Sequence, residues 1–167
     1  VANHLSNICK EIKIITYLGD QKSESNFIKK SLGRNISLEY IHKNNSPTII
    51  KTRLVDNYSK NKITGLYDIN DGELNTIEEK KIKNLIKRFI KKFDMVLVVD
   101  YGHGLLTNNI IKLIQQKSNF LSVNAQLNAL NSSYHSIFKY KKADYVCIDA
   151  PEARLAMSDK YTDLGEL

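Results

Sequence analysis

Apolar positions along the chain fall into short runs separated by polar stretches, and their spacing predicts an alternation of strands and helices. Residues 95–99 (Met, Val, Leu, Val, Val) are apolar at every position before Asp100, Tyr101, Gly102, His103 and Gly104. A run without alternation suits a strand covered on both faces, as in a parallel sheet between helix layers. A helix opens the chain, residues 12–18 read as a strand running into Gly19 and Asp20, and 25–32 read as a helix stopped by Gly33. Residues 36–41 largely alternate and give way to polar 42–45, which completes a βαβ unit. Two β-type runs, 48–55 and 62–67, follow across the polar stretch 56–61 with no helix between them. They predict an antiparallel hairpin inserted in an otherwise alternating chain. The order then resumes with a helix over 76–91, the strand ending at Asp100, a helix over 108–116 and a strand over 120–124. An Asn/Ser-rich irregular segment over 125–133, a strand over 144–149 and a helix from Pro151 complete it. The pattern is that of an α/β fold with a largely parallel sheet.

At 167 residues the chain is long enough to bury a core, and one domain is the default expectation. No apolar run approaches the length of a membrane span, and no charged-then-apolar leader opens the chain, so a cytoplasmic location without membrane partners is expected. Cys9 and Cys147 lie far apart with no metal-ligand spacing, which favours buried free thiols. The net charge of +7 raises the question of nucleic acid. Its densest cluster, Lys80, Lys81, Lys83, Lys87, Arg88, Lys91 and Lys92, shares a helix with Ile77, Ile82, Leu85, Ile86 and Phe89. That pattern describes the solvated face of an amphipathic helix, so no nucleic-acid partner is expected.

Candidate chemistry concentrates where the strands end. Asp100 with Gly102, Asn124 with Gln126, and Asp149 with Glu152 each follow a predicted strand. In a parallel sheet such ends fall on one edge, the edge at which α/β proteins bind ligands. For the first of them, turn geometry and chemistry are both open readings, since glycine serves either. Asp149 and Glu152 likewise admit two readings. They suit a helix cap and its first turn, and they suit a hydrated Mg²⁺ bound through carboxylates. On the hairpin, Lys51 and Arg53 are two apart in a strand and so share a face, which suits either a phosphate or carboxylate ligand or a solvated basic strand.

These residues together resemble a family. Ser46, Pro47, Thr48, Ile49, Ile50, Lys51, Thr52 and Arg53, then the Asp100–Gly104 stretch, Asn124 and Gln126, and Asp149 to Glu152 occur in the order and spacing of PfkB/ribokinase-type carbohydrate kinases. Within that family the likeness is to the sugar kinases related to the heptose 7-phosphate kinase half of ADP-heptose synthase. The resemblance implies a ribokinase-like α/β/α core with a small β-hairpin lid at about 47–69. It implies ATP-dependent, Mg²⁺-assisted phosphorylation of a sugar or sugar phosphate. Lys51, Arg53, Asp100 and Gly102 would lie on the substrate side. Asn124, Gln126, Asp149 and Glu152 would lie on the nucleotide side, the last two organising the metal. Asp149 stands where the family usually has Asn, Gln126 where relatives often carry Lys, and His103 where Lys is frequent. The family's N-terminal strand and glycine pair would precede Val1, and its Gly-x-Gly-Asp segment with the catalytic base would follow Leu167. The chain is therefore expected to be the middle of one kinase domain, inactive alone and able to pair with a second copy through the lid. The departures keep a second expectation in view, a non-catalytic sugar- or nucleotide-binding module or a degenerate kinase half of a fusion protein.

Overall fold

The computed structural model describes residues 1–128, 131 and 134–166. Among the described residues it is α/β, with parallel sheets, one small antiparallel hairpin and no closed barrel, consistent with a ribokinase-like core. Two compact units make up the chain: Val1–Asp71 with Thr76–Ile82, and Gly72–Asn75 with Lys83–Leu167.

In the first unit, α1 (Ala2–Leu5) leads into β1 (Ile12–Gln21), α2 (Ser25–Lys30) and β2 (Ile36–Pro47). The two strands pair in parallel, from Ile12 opposite Ile36 to Gly19 opposite Lys43, so the expected βαβ unit is present. Tyr17, Leu18 and Ile41 are buried along this pair. The second strand outruns its expected end because His42, Lys43 and, past a bulge, Pro47 still pair with β1 despite the polarity of the segment. Burial of Lys43 and Ser46 is tolerated because both are hydrogen-bonded.

The hairpin follows as β3 (Ile50–Val55) and β4 (Lys62–Asp68), antiparallel, with Lys51 opposite Tyr67 and Arg53 opposite Gly65. Its turn is closed by Asp56, whose carboxylate accepts the amides of Tyr58 and Ser59. That double acceptance holds the Asp56 carboxyl below the usual range, Ser59 being the stronger cause.

Helix α3 (Thr76–Phe89) carries Glu78 and Glu79 in its first turn and Lys87 and Arg88 in its last, the arrangement that suits the helix dipole. Ile82 and Ile86, one turn apart, are buried, and most of the lysines face solvent as expected. Ile77, assigned to the apolar face from its type, is instead 69% exposed. Glu78 takes the buried position one residue on, where it accepts the Asn44 amide at 2.8 Å.

The second unit holds a three-stranded parallel sheet in the order β5 (Val96–Asp100), β6 (Leu121–Ala125) and β7 (Tyr145–Val146), with α4 (Asn108–Lys117) between the first two. Its core is Val98, Leu121 and Val123 against Ile110, Ile111, Leu113 and Ile114, the buried face of α4. Thr107 caps α4 by accepting the Ile110 amide. The last strand is shorter than the expected 144–149, because after Cys147 donates its amide to Val123 the chain turns out of the ladder to cap α5 (Ala150–Met157). Against the expected burial, Cys147 is exposed on this departing segment and Cys9, just ahead of β1, is only half-buried. Of the segment expected to be irregular, residues 129, 130, 132 and 133 lie outside the described residues. Among the described residues no helix is long and apolar enough to cross a membrane.

Candidate functional site

The parallel register of the second unit draws three strand ends together. Val99 lies opposite Asn124 and Asp100 opposite Ala125, and backbone bonds extend the contact beyond the ladder. The Gln126 amide donates to the Asp100 carbonyl at 2.8 Å, and Asn124 Nδ2 donates to the Cys147 carbonyl at 2.8 Å. Leu127 donates its amide to Glu152 Oε1 at 2.8 Å. The residues nominated at the ends of the three strands are thus neighbours.

Asp100 is the most enclosed of them, at 4% exposure. Oδ1 accepts the Gly102 amide at 2.9 Å. Oδ2 accepts the Tyr140 hydroxyl at 2.5 Å and lies 2.6 Å from Lys139 Nζ. His135 sits behind the pair. Its Nε2 is 3.1 Å from the Asp100 carbonyl, which can only accept, so that nitrogen carries the proton. Nδ1 is then the acceptor for Lys139 Nζ at 3.2 Å. Burial, with the Asp100 charge adding to it, pushes the Tyr140 hydroxyl well above its ordinary range, so it remains a donor. A buried carboxylate with a cation and two further donors is strongly held, and removing one partner leaves the others uncompensated.

The same cluster shapes the glycine loop after β5. Gly102 and Gly104 have φ of 68° and 78°, the left-handed region in which glycine carries no penalty. Space is a second constraint at Gly102, where a Cβ would overlap the Asn131 amide group and press on the His135 ring. Asn131 and Asn128 both donate to the Tyr101 carbonyl, at 2.6 Å and 2.9 Å. His103 is buried and its ring stacks on that of Tyr101 at 6.2 Å. Turn geometry is therefore fully accounted for here, and Asp100 is part of what builds it.

Asp149 and Glu152 form a reciprocal capping box. Asp149 Oδ1 accepts the Glu152 amide and Glu152 Oε2 accepts the Asp149 amide, both at 2.8 Å, with Pro151 pre-set for the first turn. Glu152 is 7% exposed and has both oxygens on backbone amides. Asp149 is exposed, and its Oδ2 accepts no hydrogen bond among the described residues. The pair fits a hydrated Mg²⁺ in one way, with Asp149 presenting an oxygen and Glu152 fixing the Asp149 backbone. Among the described residues no group of three or more His, Cys, Asp or Glu side chains gathers as a metal cage would require.

Lys51 and Arg53 belong to the first unit. Both are exposed on β3, on one face of the hairpin, and Lys51 Nζ lies 5.5 Å from the centre of the Tyr67 ring across the ladder. Sequence reasoning missed His135, Lys139 and Tyr140, which stand 35 to 40 positions beyond Asp100 in a polar stretch with no periodicity. The one available cue was Tyr140, an aromatic beside a lysine just ahead of a strand.

The bifunctional protein HldE of a Nitratiruptor species is 30% identical over 122 residues, which cover 71% of this chain and 25% of that protein. The chain is similar in sequence to part of that HldE protein. The bifunctional protein HldE of Aliarcobacter butzleri is 26% identical over 170 residues, covering 100% of this chain and 34% of that protein. This relationship bears out the likeness to PfkB/ribokinase-type carbohydrate kinases carried by the motifs. The chain spans about a quarter to a third of the length of these curated relatives. No family model matches it.

Proposed function

We propose that the protein containing this chain transfers phosphate from ATP to a hydroxyl of a sugar or sugar phosphate, and that this chain supplies part of one kinase domain. The observation that carries the reading is the similarity to HldE proteins, which in the Aliarcobacter butzleri relative covers the whole chain and so includes the lid-type hairpin and the three polar strand ends. Lys51 and Arg53 meet the anionic or hydroxyl-rich side of the sugar, where paired cations recognise phosphate. Asp100 acts through the fold, holding the glycine loop at the strand end so that Gly102 can approach substrate with its backbone. Asn124 and Gln126 line the nucleotide side from the neighbouring strand end. Asp149, with its open Oδ2, faces the hydrated Mg²⁺, and Glu152 keeps Asp149 in place. When bound, the metal offsets negative charge on the phosphates. The catalytic base lies outside the residues of this chain on this reading, so the isolated chain is inactive. A cytoplasmic setting and pairing of two copies through the exposed hairpin belong to the same proposal.

A second reading, a sugar- or nucleotide-binding module without turnover, is favoured by Asp149, which brings negative charge where the family usually has neutral Asn. One assay separates the two. Full-length protein is incubated with labelled ATP, Mg²⁺ and a panel of sugars and sugar phosphates. The kinase reading predicts a labelled sugar phosphate that depends on Mg²⁺. Binding of a panel member with no labelled product would establish the module instead.

A further inference from the structure

The hairpin that carries Lys51 and Arg53 is exposed at nearly every residue of both strands. A lone two-stranded hairpin is marginally stable in water, so its direction is set where it is rooted. Both roots lie in the first unit, and they differ in how they are held. The incoming root, residues 43–48, is tied down from several sides. Asp20 accepts the amides of Asn45 and Ser46 at 3.0 Å and 3.1 Å. Thr48 Oγ1 accepts the Gly19 amide at 3.0 Å and donates to the Ser23 carbonyl at 2.7 Å. Gly19 lies so close to the backbone of residues 46–48 that a Cβ there would overlap it. Ser46 is completely buried.

The outgoing root reaches this fixed base through Asn70. Its Nδ2 donates to Ser46 Oγ at 2.9 Å and to the Asn45 carbonyl at 3.4 Å. Its carbonyl accepts from Lys43 Nζ at 2.7 Å. Lys43 is itself 3% exposed and lies 5.0 Å from the centre of the Tyr17 ring, so it is anchored in the core. One residue therefore joins the return strand of the hairpin to its incoming root by side chain and backbone alike.

We infer that Asn70 is a positioning residue: by pinning the outgoing root to Ser46 and Lys43 it fixes the direction of the hairpin and with it the placement of Lys51 and Arg53. Its effect on substrate rests on the kinase reading, whereas its effect on the hairpin does not. Asn70→Ala removes the two bonds donated by the side chain and leaves the backbone bond from Lys43. Ser46→Ala removes the main partner of that side chain.

The experiment measures hydrogen exchange by mass spectrometry on the full-length protein, with and without each substitution, alongside sugar and ATP kinetics. Asn70→Ala should speed exchange in peptides spanning 49–69 by roughly three- to tenfold, the loss of about one net hydrogen bond. Peptides of β5 and β6 should keep their rates. Adding Ser46→Ala should change the hairpin rate less than it does alone, since the two act as one unit. In the kinase, KM for the sugar should rise while kcat stays within about twofold. Unchanged hairpin exchange in Asn70→Ala, or equal acceleration in β5 and β6, overturns the inference. So does an unchanged KM in an enzyme that phosphorylates sugar. If hairpin exchange rises as described and the unsubstituted protein phosphorylates nothing, the pin stands and the kinase reading falls.

Discussion

The first unit presents its candidate ligand groups on an exposed hairpin, Lys51 and Arg53 side by side on one face, whereas the second encloses its most prominent acids, Asp100 and Glu152, at 4% and 7% exposure. The two cations lie at the surface, where charged groups contribute little to stability. Every carboxylate oxygen of the two acids, by contrast, accepts from a backbone amide, a hydroxyl or an ammonium. Polar residues nominated by the same kind of sequence signal therefore do different work. On the hairpin they are available to a ligand, and at the strand ends they first build the backbone that a ligand would meet.

The largest effect that follows from this contrast is on stability. Asp100→Asn keeps the shape but turns an amide group toward Lys139 or Tyr140, and it should cost about 3 kcal/mol in urea unfolding of the full-length protein. An unchanged unfolding midpoint would break the contrast and return Asp100 to the role of an idle ligand group.

A smaller effect compares a buried phenol in each unit. Burial, with Asp71 adding to it, pushes the Tyr17 hydroxyl up to about 12, while burial beside Asp100 raises Tyr140 further. For Tyr17 the native state keeps its proton where the unfolded chain has lost it, so its contribution is fully present below pH 10 and is lost as pH rises from about 10 to about 12. Tyr17→Phe should flatten that part of the pH dependence of the urea midpoint. Tyr140, which also donates to Asp100, should make a phenylalanine substitution costly at neutral pH as well. Identical pH profiles for Tyr17→Phe and the unsubstituted protein would contradict this account of the first unit.

Much of the architecture was legible because local periodicity reports which faces are covered. The βαβ unit, the hairpin, the amphipathic α3 and α4 and the capping box at Asp149 all follow from spacing within a dozen residues. What escaped was decided by partners distant in the chain. Residues 42–47 look like a loop by polarity, yet pairing with β1 and the buried bonds of Lys43 and Ser46 keep them in a strand. Residues 147–149 look like a strand by composition, yet the cap of α5 ends the ladder early. The candidate edge was visible as three polar strand ends, but the donors around Asp100 were not, since nothing in the spacing of His135, Lys139 and Tyr140 announces a shared partner.

The division of labour between exposed cations and enclosed acids is tested most directly by one kinetic comparison in the full-length protein, Lys51→Ala with Arg53→Ala against Glu152→Gln. The account predicts that the paired cation substitutions raise KM for the sugar substrate by about a hundredfold or more, each of the two lost charged contacts being worth roughly 1.5–3 kcal/mol, with kcat little changed. It predicts that Glu152→Gln instead lowers kcat and raises the Mg²⁺ concentration needed for half-maximal rate, because Asp149 is no longer held in place. Unchanged turnover and Mg²⁺ dependence in Glu152→Gln, or a loss confined to kcat in the cation variant, would contradict it.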